Sequence, residues 1–336
     1  MGAWSVLESH MITCLLRRLL NLLPTFLLAT VLVFSIIQLA PGDFLTPAKL
    51  NPGISEQQLR NLAEQFGLNK PVWQQYFQWL WNLLHGNLGL SFSYTQPVLD
   101  VAWPRVLNSM KLVLVNLVLF YAISIPLGVY GAVRQYSFGD RLSGVVFYFL
   151  LGFPSFFLAL LTIFGILKLR QATGWNIPMI GMTSDGYDSL SLLGKFWDTL
   201  KHLLIPGLVA AVGGVAGFTR VLRGQMLEHL RSDFVRTARS KGVPEFWVVY
   251  RHTLRNAIIP FVAGIGGLLP GLIGGAGLVE VVFSYPGITP MLLDAIGAQD
   301  FYLVAAFSIL PMVLLFLGNA ISDILLAVVD PRIRFN

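Results

Sequence analysis

The chain has 336 residues, 55% of them apolar and only 12% charged, far from the roughly 25% charge of a soluble domain. With a mean hydropathy of +0.68, that composition excludes a soluble globular fold and predicts an all-α integral membrane protein. The lone cysteine, Cys14, excludes an internal disulfide or a multi-cysteine metal site. The net charge of +6 falls in short segments between apolar runs, where membrane topology accounts for it without nucleic acid.

Arg17-Arg18 precede an uncharged run from Leu19 to Gly42, too long for the apolar core of a signal peptide and without a small-residue cleavage site. A retained first span over 15–39 is expected after an inner N-terminus of 1–14, with Pro24 tolerable in a membrane helix. Residues 40–105 form a long outer loop. Ser55 caps a helix reaching Phe66. Pro71 to Leu99 carry no charge, but Gln74, Gln75, Gln78 and Asn82 argue against a crossing. Trp73, Tyr76, Phe77, Leu80 and Leu84 mark one face of a short helix at the membrane–water interface.

Five further uncharged runs predict spans at 106–133, 142–168, 202–222, 257–280 and 301–323, within a core of 106–330 and before an inner tail of 324–336. Six spans with both termini inside place Arg134, Arg141, the 223–256 loop and Arg332-Arg334 on one side; a seventh span over 71–99 would put the basic loop outside. The outer loop 169–201 holds Asp185, Asp188 and Asp198 without a tight metal-ligand spacing. Gly213-Gly214 and Gly217 mark the fourth span. Gly264, Gly266, Gly267, Gly271, Gly274, Gly275 and Gly277 mark the fifth, with Pro270 between, a composition for close packing or for a pathway helix that bends. Glu280 at the outer end of that span reads equally as a functional intramembrane acid and as a hydrated helix end.

Between spans four and five, Arg223–Asn256 carries seven Lys or Arg against three acids. One helix is expected over Gln225–Lys241, a stop at Gly242-Val243-Pro244, and a second helix over Glu245–Arg255. Phe234, Val235 and Ala238 form a small apolar surface among Arg231, Arg236 and Arg239. That surface suits a protein groove; the bland reading is a loop that only sets topology. No G-x-x-x-x-G-K-[ST] occurs, and none of His10, His85, His202, His229 and His252 lies in mid-membrane, so neither ATP hydrolysis nor intramembrane proteolysis is built in. A self-contained secondary transporter or channel is the rival reading; little charge inside the spans and no visible internal repeat stand against it.

The run DFVRTARSKG, followed after nine residues by HTLRNAIIP, resembles the cytoplasmic loop of permease subunits of ATP-binding-cassette importers, in the dipeptide, oligopeptide and nickel branch. GGAGLVEVVFSYPGITPMLLDAI, the early LAPGD and the late DPRIR are similar as well, so the resemblance covers nearly the whole chain. Arg236-Thr237-Ala238 stand where the wider superfamily has Glu-Ala-Ala, as is usual in the peptide branch. The resemblance implies a non-catalytic subunit of a prokaryotic cytoplasmic membrane. Asp233, Phe234, Val235, Arg236, Thr237, Ala238, Arg239, Lys241 and Gly242 would form a coupling helix docked on an ATPase. It implies as partners a second homologous permease, two ATPase subunits holding ATP and Mg, an extracytoplasmic binding protein and membrane lipid, with no cofactor or metal on this chain. Gly267, Pro270, Gly271, Gly274, Gly275, Glu280 and Phe283 are the expected pathway or gate residues. Peptides are the expected cargo, with nickel complexes, opines and oligosaccharides open.

Overall fold

The computed structural model describes residues 23–39, 45–49, 53–65, 67, 69–263 and 276–329. Among these, every regular element is helical, and the one extended pairing is an isolated bridge between Leu90 and Pro97. Contacts divide the chain into two units. One takes its residues from Met1–Leu107 and Ile288–Phe316, the other from Asn108–Gly287 and Leu317–Arg334.

In the first unit, α1 (Leu23–Leu39) is followed by the short helices α2 (Thr46–Lys49) and α3 (Glu56–Gln65). The expected cap of α3 forms reciprocally: Ser55 Oγ accepts the Gln58 N–H at 3.3 Å, and Gln58 Oε1 accepts the Ser55 N–H at 2.8 Å. Next comes α4 (Val72–Leu84), whose 13 residues span about 20 Å, short of the roughly 30 Å of hydrocarbon in a bilayer. Its inward face differs from expectation. Tyr76, Trp79, Leu80 and Leu83 pack with Phe34, Ala305 and Ile309, while Trp73, Phe77, Trp81 and Leu84 form a second stripe that faces outward. The anchor is aromatic, since Phe34 lies edge-on to Tyr76 at 5.4 Å and to Phe301 at 5.5 Å, and Thr30 Oγ1 meets the Tyr76 hydroxyl at 3.0 Å.

Among the described residues, four long helices are shared between the two units, with two of them, Ser155–Thr173 and Leu192–Leu230, wholly in the second. α5 (Val98–Val133), α7 (Ser155–Thr173), α8 (Leu192–Leu230) and the Phe301–Ser322 part of a later helix are each long and apolar enough to cross a membrane. Two expected boundaries move outward. Charges at Asp100 and Arg105, and at Lys195, Asp198 and Lys201, end the apolar runs but not the helices. The start of α8 is set by Ser191, whose Oγ accepts the Gly194 N–H at 3.2 Å. The expected third span, 142–168, is two helices, α6 (Phe138–Leu151) and α7. Pro154 supplies no N–H to continue the ladder, and Phe153 before it is pushed away from helical geometry. Phe120 and Phe218 meet edge-on at 5.1 Å where α5 crosses α8, inside a cluster that includes Val129, Leu222 and Met226. Gly214 belongs to this crossing, because a Cβ there would stand 3.0 Å from the Phe120 ring. Gly213 and Gly217 meet none of the described residues, so packing among the described residues accounts for one of the three glycines.

Beyond α8 lie α9 (Asp233–Ser240), α10 (Glu245–Trp247), a π turn over Val248–Thr253, α11 (Leu254–Ala257) and α12 (Ile259–Ala263). A helix over 276–282, called α13, then precedes α14 (Ile288–Gly297) and α15 (Phe301–Val329).

Candidate coupling loop and buried carboxylate seats

The expected helix over Gln225–Lys241 is interrupted. α8 ends at Leu230 with Arg231 as its cap, and extended Ser232 opens α9 with Asp233 in its first turn, where a carboxylate meets the positive end of the helix dipole. Gly242 has φ +75°, a left-handed conformation that disfavours a side chain. The Val243 N–H reaches the Ala238 carbonyl at 3.2 Å and the Gly242 N–H the Arg239 carbonyl at 2.9 Å. These paired bonds form a Schellman stop, and its accompanying apolar contact is Val243 on the Val235, Ala238 and Val248 cluster.

That cluster takes in two residues of the expected docking surface. Val235 is 0% exposed and Ala238 is buried with it, so both hold α9 against the chain's own π turn. Thr253 steadies the turn by donating to the Val248 carbonyl at 2.9 Å. Arg239 forks onto Glu245 at 3.1 and 2.6 Å, which holds the Glu245 carboxyl below its ordinary pKa and raises that of Arg239. The outward face carries Asp233, Phe234, Arg236, Thr237, Lys241 and Gly242, with Phe246, Trp247 and Tyr250 beyond the stop. Phe234 is 42% and Phe246 61% exposed, and the Phe246 and Tyr250 rings lie 4.7 Å apart. The aromatic trio after Pro244 was legible in EFWVVYR but is absent from the sequence-based set.

Of the expected pathway residues, Gly267, Pro270, Gly271, Gly274 and Gly275 lie outside the described residues. Glu280 is 2% exposed, which rules out a hydrated helix end. The Ser109 hydroxyl donates to its Oε1. A Cβ at Gly287 would overlap the Glu280 carboxylate, so the glycine makes the seat. Nearby, Tyr285 Oη donates to the Asn108 carbonyl at 2.8 Å, and Asn108 Nδ2 to the Pro286 carbonyl at 3.1 Å. Phe283 is buried with Ala159, Met179, Val209 and Val279, and its carbonyl accepts the Gly181 N–H at 2.9 Å.

Two further buried carboxylates went unrecognised in the sequence. Asp140 accepts Arg223 Nε at 2.8 Å and Nη2 at 2.9 Å, and the Tyr136 N–H at 2.8 Å. The guanidinium, opposed by burial and helped by the Tyr136 N–H, holds this carboxyl below the usual aspartate range. Asp300, at the head of α15, accepts the Ser91 hydroxyl at 2.6 Å and the Phe92 and Ser93 N–H groups at 2.9 and 3.0 Å. Each pair is far apart in sequence, and its only signal was an isolated acid beside a helix start. Among the described residues no three His, Cys, Asp or Glu side chains gather to hold a metal ion. Asp198 is committed to the Ser184 N–H at 2.9 Å.

A family model described as the inner membrane component of binding-protein-dependent transport systems matches residues 124–335, and the N-terminal model for such membrane components matches 11–114. The oligopeptide transport system permease protein AppB of Bacillus subtilis (strain 168) is 36% identical over 324 residues, covering 96% of this chain and 99% of the relative. The dipeptide transport system permease protein DppB of Escherichia coli (strain K12) is 33% identical over 341 residues, covering 96% and 99%. DppB of Alkalihalophilus pseudofirmus is 33% identical over 340 residues, covering 97% and 100%. Helices long enough to cross a membrane, a compact basic loop and full-length likeness to permeases converge on one assignment: the chain belongs to the inner membrane components of binding-protein-dependent transport systems, the permease subunits of ATP-binding-cassette importers.

Proposed function

We propose that the chain is the translocation subunit of an ATP-driven importer of di- or oligopeptides. It does no ATP chemistry itself and works with a second, homologous permease, two ATPase subunits holding ATP and Mg, and an extracytoplasmic binding protein. Six crossings are proposed, at 15–39, 106–133, 142–168, 202–222, 257–280 and 301–323, in the inner membrane of a prokaryote with both termini cytoplasmic. α4 stays on the outer side.

The observation that carries the coupling role is the two-faced loop. Val235, Ala238, Val243 and Val248 hold its inner face closed, while its outer face presents Phe234 among basic residues. A surface that rigid can receive a push. Closure of the ATPases would move α9, and α8, continuous from Leu192 to Leu230, would deliver the displacement to the pathway. The peptide assignment rests on the likeness to AppB and DppB.

The test uses the assembled importer in liposomes. Gly242→Val forces a β-branched residue into a left-handed turn, and Ala238→Trp overfills the cluster behind α9. Both should abolish ATP hydrolysis stimulated by peptide-loaded binding protein while the chain stays in the membrane; stimulation surviving in both removes the coupling role. The chain alone should move nothing, and flux driven by an ion gradient without any ATPase would favour a secondary transporter.

A further inference from the structure

The Asp140–Arg223 pair has a geometry that a mere topology signal does not need. Arg223 lies on α8 about two turns before its end at Leu230. Asp140 lies in the first turn of α6, and its carboxylate also accepts the Tyr136 N–H from the turn that joins α5 to α6. One carboxylate therefore touches three elements. The fork is bidentate, so it fixes direction as well as distance. Asp140 is 8% exposed, which places the pair outside the class of solvated surface bridges that contribute little.

Two glycines shape the seat. A Cβ at Gly131, near the end of α5, would stand 2.8 Å from Asp140 Oδ1 and 3.1 Å from Arg223 Cδ. A Cβ at Gly139 would stand 2.6 Å from the Tyr130 hydroxyl. Tyr136 adopts φ +63°, a conformation costly for a non-glycine residue and sustained here by the carboxylate its N–H meets. Below this junction the π turn and α11 place Val249 and Ala257 in the same cluster as Phe218 and Leu222 of α8.

We infer that Asp140 and Arg223 are positioning residues forming a transmission clamp, which makes the loop end of α8 carry the α5–α6 turn with it when the loop is displaced. The inference rests on the coupling role proposed above. Without the clamp, α8 would slide past the turn and the displacement would stay local. With it, α5, α6 and the loop end of α8 move as one body, and relative motion is left to the other helices.

The experiment reads distances in the assembled importer, with spin labels at Arg134→Cys and Glu228→Cys in a Cys14→Ser background, both sites being exposed. A second pair, Glu228→Cys with Lys168→Cys on α7, reports whether the loop end of α8 moves at all. In the otherwise unaltered importer, a non-hydrolysable ATP analogue should shift the 228–168 distance and leave the 134–228 distance unchanged. Gly131→Ala, which crowds the fork without removing a charge, and Asp140→Asn should each let the 134–228 distance shift or broaden on adding the analogue. Uptake of a labelled tripeptide per ATP hydrolysed should fall about tenfold. If Asp140→Asn does not assemble, Arg223→Lys, which keeps the charge and loses the fork, must give the same change. A 134–228 distance that moves in the unaltered importer, or stays fixed in every assembled variant, overturns the clamp and leaves the coupling role standing. A 228–168 distance that never responds to the analogue, with the ATPases bound, removes the coupling role and the clamp together.

Discussion

Asp140 and Glu280 are both carboxylates under 10% exposed, and both are seated against a glycine with no room for a Cβ, yet they are answered by opposite chemistry. Asp140 meets a guanidinium in a two-pronged fork; Glu280 meets the Ser109 hydroxyl where α13 gives way to the turn before Gly287. The fork makes a junction that holds its direction, and losing either partner strands a charge. An amide at 280 could still accept the bond from the Ser109 hydroxyl. One seat is made for rigidity and the other for fit, and the difference can be broken variant by variant.

The largest effect is expected at the Glu280 seat, and from its shape instead of its charge. Gly287→Val drives a branched side chain into the carboxylate, with an overpacking cost of about 3 kcal/mol. The measurement is the melting temperature of the purified chain in detergent, and adding Glu280→Ala should recover part of the loss. No recovery would mean the clash is not what seats the turn. Next in size is Asp140→Asn. Hydrogen bonds to charged groups contribute roughly 1.5–3 kcal/mol, and solvent reaching the 29% exposed Arg223 side chain places the expected loss at the low end, about 1.5 kcal/mol in the same assay. Glu280→Gln should cost less, about 1 kcal/mol or under, because Ser109 keeps an acceptor. If Glu280→Gln proves the costlier of the two, the contrast is reversed.

Smallest is the acid dependence. A carboxyl whose folded pKa is depressed contributes stability that is present above its unfolded value, near 3.9. That stability is lost as pH falls through the folded value. Asp140 is such a group, with its pKa lowered first by the Arg223 hydrogen bond. The parent should therefore lose its advantage over Asp140→Asn progressively below about pH 5 and keep it unchanged from there to neutrality. An advantage that fades near neutral pH would assign the titration elsewhere.

How much of this was legible varies with the physics behind each feature. Uncharged runs announced the membrane class and most of the long helices, because exclusion of charge from hydrocarbon acts residue by residue. Helix ends were not announced by charge. Ser191 starts α8 eleven residues upstream of the apolar run's His202, and Pro154 splits a run that looks continuous. Periodicity grouped the aromatic residues of α4 but could not say which stripe turns inward, since Trp73, Phe77, Trp81 and Leu84 are as apolar as the face that packs. The Gly242 stop was readable because its cause is local. The burial of Val235 and Ala238 was not legible because an apolar face looks alike whether it meets a partner or the chain's own π turn. Asp140 and Asp300 were invisible because their donors lie 83 and 209 positions away.

The length of α8 has a mechanical consequence. Its 39 residues extend about 58 Å, roughly twice the hydrocarbon thickness, and Pro206 divides it unequally. At about 1.5 Å per residue, the arm from Pro206 to Leu230 is about 36 Å and the arm back to Leu192 about 21 Å. Pro206 does not break the helix, so an α8 that tilts as a rigid rod about the level of Pro206 is a lever with its long arm toward the coupling loop. A sweep of about 5 Å at Leu230 then becomes about 3 Å at Leu192 if the rod stays stiff through the proline, trading amplitude for force. A pivot two turns nearer the loop would bring the arms close to equal and raise the far-end displacement for the same stroke.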